Sequence, residues 1–117
     1  MIKISLDESY VFDLLSIYEV KLNYTLDLQK KTKLQQSYDI LINEIVDQIG
    51  LTQLQDIKLS NEYAELRQCN ELVFKLVDRA DESELSKLTA EANYQRYIKK
   101  SELQTKFFNN DIQDVKL

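Results

Sequence analysis

The chain has 117 residues, of which 44% are hydrophobic, with 15 Lys and Arg against 20 Asp and Glu and a net charge of −5. That length and apolar content suit one domain spanning residues 1–117 with its own core, and exclude a disordered tail. Proline and histidine are absent and Gly50 is the single glycine, which argues against turn-rich β architectures and points to an all-α protein.

Ser5 and Glu8 stand three residues apart, the spacing of a capping box in which each side chain satisfies a free backbone N–H. They predict a first helix over 6–24. Its main apolar face carries Tyr10, Val11, Leu14, Leu15, Ile17, Tyr18 and Leu22. Phe12 and Val20 fall on the far side, among Asp13, Ser16, Glu19 and Asn23. Thr25 or Asp27 caps a second helix over 27–49, although the absence of Gly and Pro between the two helices leaves one continuous long helix open, and Gly50 sits where a left-handed cap ends it. On that helix Leu34, Tyr38, Leu41 and Ile45 recur at alternating spacings of four, three and four, a coiled-coil-like heptad seam that Ile42 and Ile49 widen. The stretch 51–59 reads as a short helical turn packing Leu51, Leu54 and Ile57.

Ser60 caps a third helix over 60–80, with Leu59, Tyr63, Leu66, Val73, Val77 and Ala80 on one face. Asn70 falls in the middle of that face. A buried amide must be hydrogen-bonded, so Asn70 is assigned as a polar residue that fixes register between helices. Asp81 or Ser83 caps a fourth helix over 84–108. One apolar line there is Leu85, Leu88, Ala92, Leu103 and Phe107, and a second is Tyr94, Tyr97, Ile98 and Phe108. Beyond it, Ile112, Val115 and Leu117 are available to dock.

The first and fourth helices are thus apolar on two sides, as in a helix central to its bundle or shared with a partner. The expected architecture is an antiparallel helical bundle of two long hairpins. Its expected partner is a second copy, as a homodimer, or another protein, with Phe12, Val20, Tyr94, Tyr97, Ile98 and Phe108 as interface candidates. The function this suggests is a small non-enzymatic interaction or assembly protein.

Chemistry is constrained by what is missing. Without histidine there are no Ser-His or Cys-His nucleophiles and no histidine metal sites, and one glycine cannot build a phosphate loop. Cys69, on a helical face beside Leu66 and Val73, reads as a small buried hydrophobe. No cofactor, metal or catalytic residue is assigned. The alternative is a magnesium-dependent all-α nucleotide pyrophosphohydrolase, whose paired carboxylates on neighbouring helical turns suit a hard cation. Glu62 with Glu65, Asp78 with Asp81, and Glu44 with Asp47 have such spacings. Lys30, Lys31 and Lys33, and Lys99 with Lys100, read as solvated helix faces; with the acidic balance they give no expectation of nucleic-acid binding. One cysteine, no apolar run of membrane-spanning length and no targeting motif predict a cytoplasmic protein away from membranes.

The stretch "DLLSIYEVKL" (13–22) resembles the D-K-x-[ST]-I-L-E-I-K segment of a family of small uncharacterised all-helical proteins of bacteria and phages. "KLQQSYDIL" (33–41) is similar to that family's segment ending in Tyr-Asp-Leu-Leu. "LRQCNELVFKLVDRADE" (66–82) is similar to its Leu-x-x-Ile-Asn-x-x-x-Trp-x-x-Glu-Asp-x-Ile-Arg stretch, with Asn70 and Asp78 matching and Phe74 in place of Trp. In 93–109 Tyr94, Lys99 and Lys100 match, while Tyr97 and Ile98 replace an Asn-Asp pair. The resemblance implies an all-helical fold and lends no activity.

Overall fold

The computed structural model describes residues 6–77 and 82–109, side chains of 77 and 82–85 excepted. Five helices run through them: α1 (Glu8–Tyr24), α2 (Leu28–Ile49), α3 (Leu51–Lys58), α4 (Asn61–Val77) and α5 (Glu82–Phe108). This is the all-α bundle expected, with α1–α2 and α4–α5 as its two hairpins and α3 between them.

Local chemistry sets most boundaries. Asp27 caps α2, its Oδ1 accepting from the backbone N–H groups of Gln29 and Lys30 at 2.9 and 3.2 Å. Such a cap is worth about 1 kcal/mol. With Thr25 extended, α1 and α2 are separate helices. Gly50 holds φ 87° and ψ 159°, a conformation beyond the left-handed helical region and open essentially to glycine alone. It ends α2 and starts α3 in one residue. Ser60 caps α4, its Oγ accepting from the Tyr63 N–H at 3.2 Å.

Other starts differ from the sequence expectation. Helix α1 begins at Glu8 behind an Asp7 N-cap. Glu8 therefore does not sit at the third position of a capping box; its Oε2 instead accepts from Gln104 Nε2 of α5 at 2.6 Å. Ser83 lies inside α5 rather than capping it. Ser5, Asp78, Ala80, Asp81, Ile112, Val115 and Leu117, and the side chains of Val77 and Leu85, lie outside the described residues. The stretch after Gly50 is a full helix, with Leu54 and Ile57 buried but Leu51 exposed. Leu59 is exposed because it closes α3 instead of opening α4.

Helix α1 is the centre of the bundle and packs against α2, α4 and α5, while α4 and α5 pack most extensively on each other. The core joins Phe12 and Leu15 to Ile45, Leu54, Ile57, Tyr63, Leu66 and Leu103. Burial of each large side chain stabilises by about 1.5–3 kcal/mol. Phe12 meets Tyr63 edge-on, with ring centroids 6.4 Å apart, and lies 6.3 Å from Phe108.

This placement overturns the expected orientation of α1. Its buried residues are Ser9, Phe12, Asp13, Leu15, Ser16 and Val20, whereas Leu14 is 42% exposed. With α2, α4 and α5 packed around α1, the side expected to face water looks at α4 and α5, and the solvent-facing strip runs through Leu14 instead. Phe12 (1% exposed) and Val20 (3%) are covered by the chain's own helices. No described helix is long and apolar enough to cross a membrane.

Candidate functional site

Because the interior side of α1 carries polar residues, the helix interfaces hold two hydrogen-bonded networks. The first is centred on Asp13. Its Oδ1 accepts from Asn70 Nδ2 at 2.8 Å, and its Oδ2 accepts from Arg96 Nη2 at 2.7 Å with Lys100 Nζ at 3.9 Å. Asn70 Nδ2 also donates to Ser16 Oγ at 2.6 Å, and the Ser16 hydroxyl donates to the Asp13 carbonyl at 2.8 Å. Lys100 lies 4.1 Å over the Tyr10 ring, a cation–π contact that helps hold a buried ammonium. One turn towards the α1 N-terminus, the Ser9 N–H donates to Gln104 Oε1 at 2.8 Å. Asn70 is thus buried and hydrogen-bonded in the α1–α4 interface. Its partners are a carboxylate and a hydroxyl.

The second network is centred on Glu19, whose side chain is 12% exposed. Oε1 accepts from the Tyr63 hydroxyl at 2.7 Å, with Arg67 Nη1 3.6 Å away. Oε2 accepts from the Tyr38 hydroxyl at 2.8 Å and from Lys58 Nζ at 3.0 Å. Lys58 also donates to the Tyr38 oxygen at 2.7 Å. One carboxylate of α1 thereby fastens α2 through Tyr38, α3 through Lys58 and α4 through Tyr63. Burial, then the Glu19 charge, pushes the Tyr63 hydroxyl far above its ordinary value. Burial also raises Tyr38. Burial alone would lower Lys58, but its bonds to Tyr38 and Glu19 outweigh that and raise it. In both networks the carboxylate oxygens are occupied by protein donors, so the chemistry they perform is cross-linking of helices.

The magnesium-ligand candidates Glu62 and Glu65 are each paired with a lysine of α5. Glu62 accepts from Lys106 Nζ at 2.7 and 3.0 Å, and this bond holds its carboxyl below the ordinary range. Glu65 lies 3.0 Å from Lys99 Nζ, which that contact raises. Among the described residues no three Asp, Glu or Cys side chains come together as metal ligands would. Cys69 is half-buried, and burial raises its thiol. It lines an apolar groove of about 330 Å³ between α4 and α5 with Leu72, Leu76, Leu88 and Ala92. Tyr94 and Tyr97 of α5 are exposed. Ile98 is half-buried and lines an open groove beside Tyr97, Glu62 and Lys106, whereas Phe108 turns inward against Phe12. The six interface candidates therefore do not form one face.

Sequence reasoning missed a further surface. A groove of about 250 Å³ runs between α1 and α2, lined by Leu14, Tyr18, Ser37, Ile40, Leu41 and Glu44. Leu14 belongs to the main apolar face expected of α1, yet it and Ile40 (60% exposed) are open to solvent. The seam of α2 does face α1, with Tyr38, Leu41, Ile42 and Ile49 packed on the core, but Ile45 is its single buried residue. No family model, no curated protein and no solved structure matches the chain.

Proposed function

We propose that this chain is a small non-enzymatic assembly protein that associates with a second copy of itself through exposed helical faces. The observation that carries the reading is where its exposed apolar side chains stand. Scattered surface leucines need no explanation. Here, however, Leu14 and Ile40 gather with Tyr18 in the α1–α2 groove, and Leu72 and Leu88 gather in the α4–α5 groove. Apolar residues collected in grooves mark association surfaces. The buried carboxylates, by contrast, are consumed in holding the helices together.

Five of the residues that carry the resemblance to the bacterial and phage family stand in the interior, whereas Tyr94 is exposed. Asp13, Ser16, Glu19, Asn70 and Lys100 all belong to the two buried networks. Such a likeness extends a helical framework with a polar interior, which is compatible with a binding role.

Light scattering coupled to size exclusion tests the proposal. The expected mass is twice 13.8 kDa, shifting toward monomer on dilution. A species of 13.8 kDa at every concentration overturns it.

A further inference from the structure

The assembly reading leaves open which face pairs, and α2 answers it. Resting on that reading, we infer that two copies associate through the outer face of α2, antiparallel, about a two-fold axis at Ile40.

Helix α2 has 22 residues and one buried residue, Ile45. Among the described residues the ion pairs join α1, α3, α4 and α5, and none involves α2. Its charges are nonetheless segregated. Lys30, Lys31 and Lys33 lie at its N-terminal end, while Asp39, Glu44 and Asp47 follow with no basic residue among them. The N-terminal end of a helix carries the positive pole of its dipole and the C-terminal end the negative pole. This order of charges therefore costs stability in the isolated helix and needs another explanation.

At ~100° per residue, Gln29, Lys33, Gln36, Ile40, Glu44 and Asp47 fall within an arc of about 80°, opposite the seam that packs on α1. All six are exposed. An antiparallel pair centred on Ile40 sets residues opposite each other when they lie equally far from it along the helix. Lys33 is seven residues before Ile40 and Asp47 seven after; Gln36 and Glu44 are four before and four after. Lys33 of each copy thus meets Asp47 of the other, Gln36 meets Glu44, and the exposed Ile40 side chains meet at the axis. The arrangement is isologous, as closed dimers require. It also sets the two helix dipoles antiparallel, and it lays each Ile40 beside the Leu14–Tyr18 groove.

Charge reversal on the full chain tests the inference, with self-association followed by sedimentation equilibrium. Lys33→Asp and Asp47→Lys each place two like-charge contacts across the axis and should weaken the dimer by about tenfold or more. An equimolar mixture of the two variants restores both contacts, so a heterodimer of near wild-type affinity should form. The double variant Lys33→Asp/Asp47→Lys should dimerise again by itself. If the wild type dimerises and either reversal leaves the affinity unchanged, the α2 face is wrong while the assembly reading stands. If the single variants are weakened and the mixture fails to recover, this register is wrong. A wild type that is monomeric throughout removes both.

Discussion

Two parts of this molecule treat their charges in opposite ways. Where α1 meets α4 and α5, Asp13 is buried and bonded to Asn70 and Arg96 with Lys100 beside it, so its charge is matched inside the chain. On α2, Lys33 and Asp47 are exposed and have no partner among the described residues. The difference teaches how such a small bundle divides its work. The interior charges specify which helices meet and at what height, since a carboxylate held by fixed donors tolerates no sliding of one helix on another. Lys33 and Asp47 of α2 make no comparable ion pair among the described residues.

Removing a buried centre breaks the interior most severely. Asp13→Ala leaves Arg96, Lys100 and the Asn70 amide without their shared acceptor, and loss of one partner of a buried ion pair costs about 3–5 kcal/mol. A small domain has about 5–15 kcal/mol in total. Urea unfolding of Asp13→Ala should show a midpoint shifted far down or no folded baseline. A change below about 1 kcal/mol would mean that the network is solvated in solution.

Tyr63→Phe probes the Glu19 network more gently. It deletes one hydrogen bond to a charged acceptor, worth about 1.5–3 kcal/mol. The pH dependence follows from the raised tyrosines and Lys58. Tyr63 and Tyr38 ordinarily titrate at 10.0 and Lys58 at 10.5, and the fold raises all three. The folded state therefore holds protons that the unfolded chain releases first. Their stabilisation is complete below about pH 10 and falls as pH climbs above it. Chemical unfolding midpoints should decline from pH 9 to 11, and Tyr63→Phe should make that decline shallower.

Gly50→Ala acts at the junction that ties α2 to the rest. A Cβ there meets nothing within 4 Å, so the cost is backbone strain alone, about 1–3 kcal/mol. Tyr38→Phe in the same background tests whether the turn and the Glu19 network act together: because α3 follows Gly50 and carries Lys58, which donates to the Tyr38 oxygen, the two effects should depart from additivity.

These contrasts bear on what a sequence can disclose. The helices were legible because caps and breakers act locally: Asp27 and Ser60 bond N–H groups two or three residues away. Asn70 was legible because a lone amide on an apolar face demands a partner. Asp13, Ser16 and Glu19 were not, because an acidic or hydroxyl residue beside Phe12 and Val20 reads as a solvated face until four helices are seen to surround it. The cue was present: Ser9, Phe12, Asp13, Ser16 and Val20 recur at helical spacing on one arc, and two large apolar residues on a charged face already indicate burial. The proposed α2 register was hidden for another reason. Lys33 and Asp47 lie on the same helix at equal distances from Ile40, a pattern that acquires meaning only when the inner face is known to be occupied by α1.

The smallest expected effect is the one that separates the two regions most sharply. Lys33→Asp should change the unfolding free energy of the monomer by no more than about 0.5 kcal/mol, as for any surface position without a partner. The same substitution should weaken self-association. Measured by urea unfolding at a concentration where the wild type is monomeric, a loss of several kcal/mol would place Lys33 in the fold and abolish the distinction between matched interior charge and open α2 charge. An unchanged midpoint with a weakened dimer would establish that α2 carries its charges for a second copy, since nothing within the chain responds to their reversal.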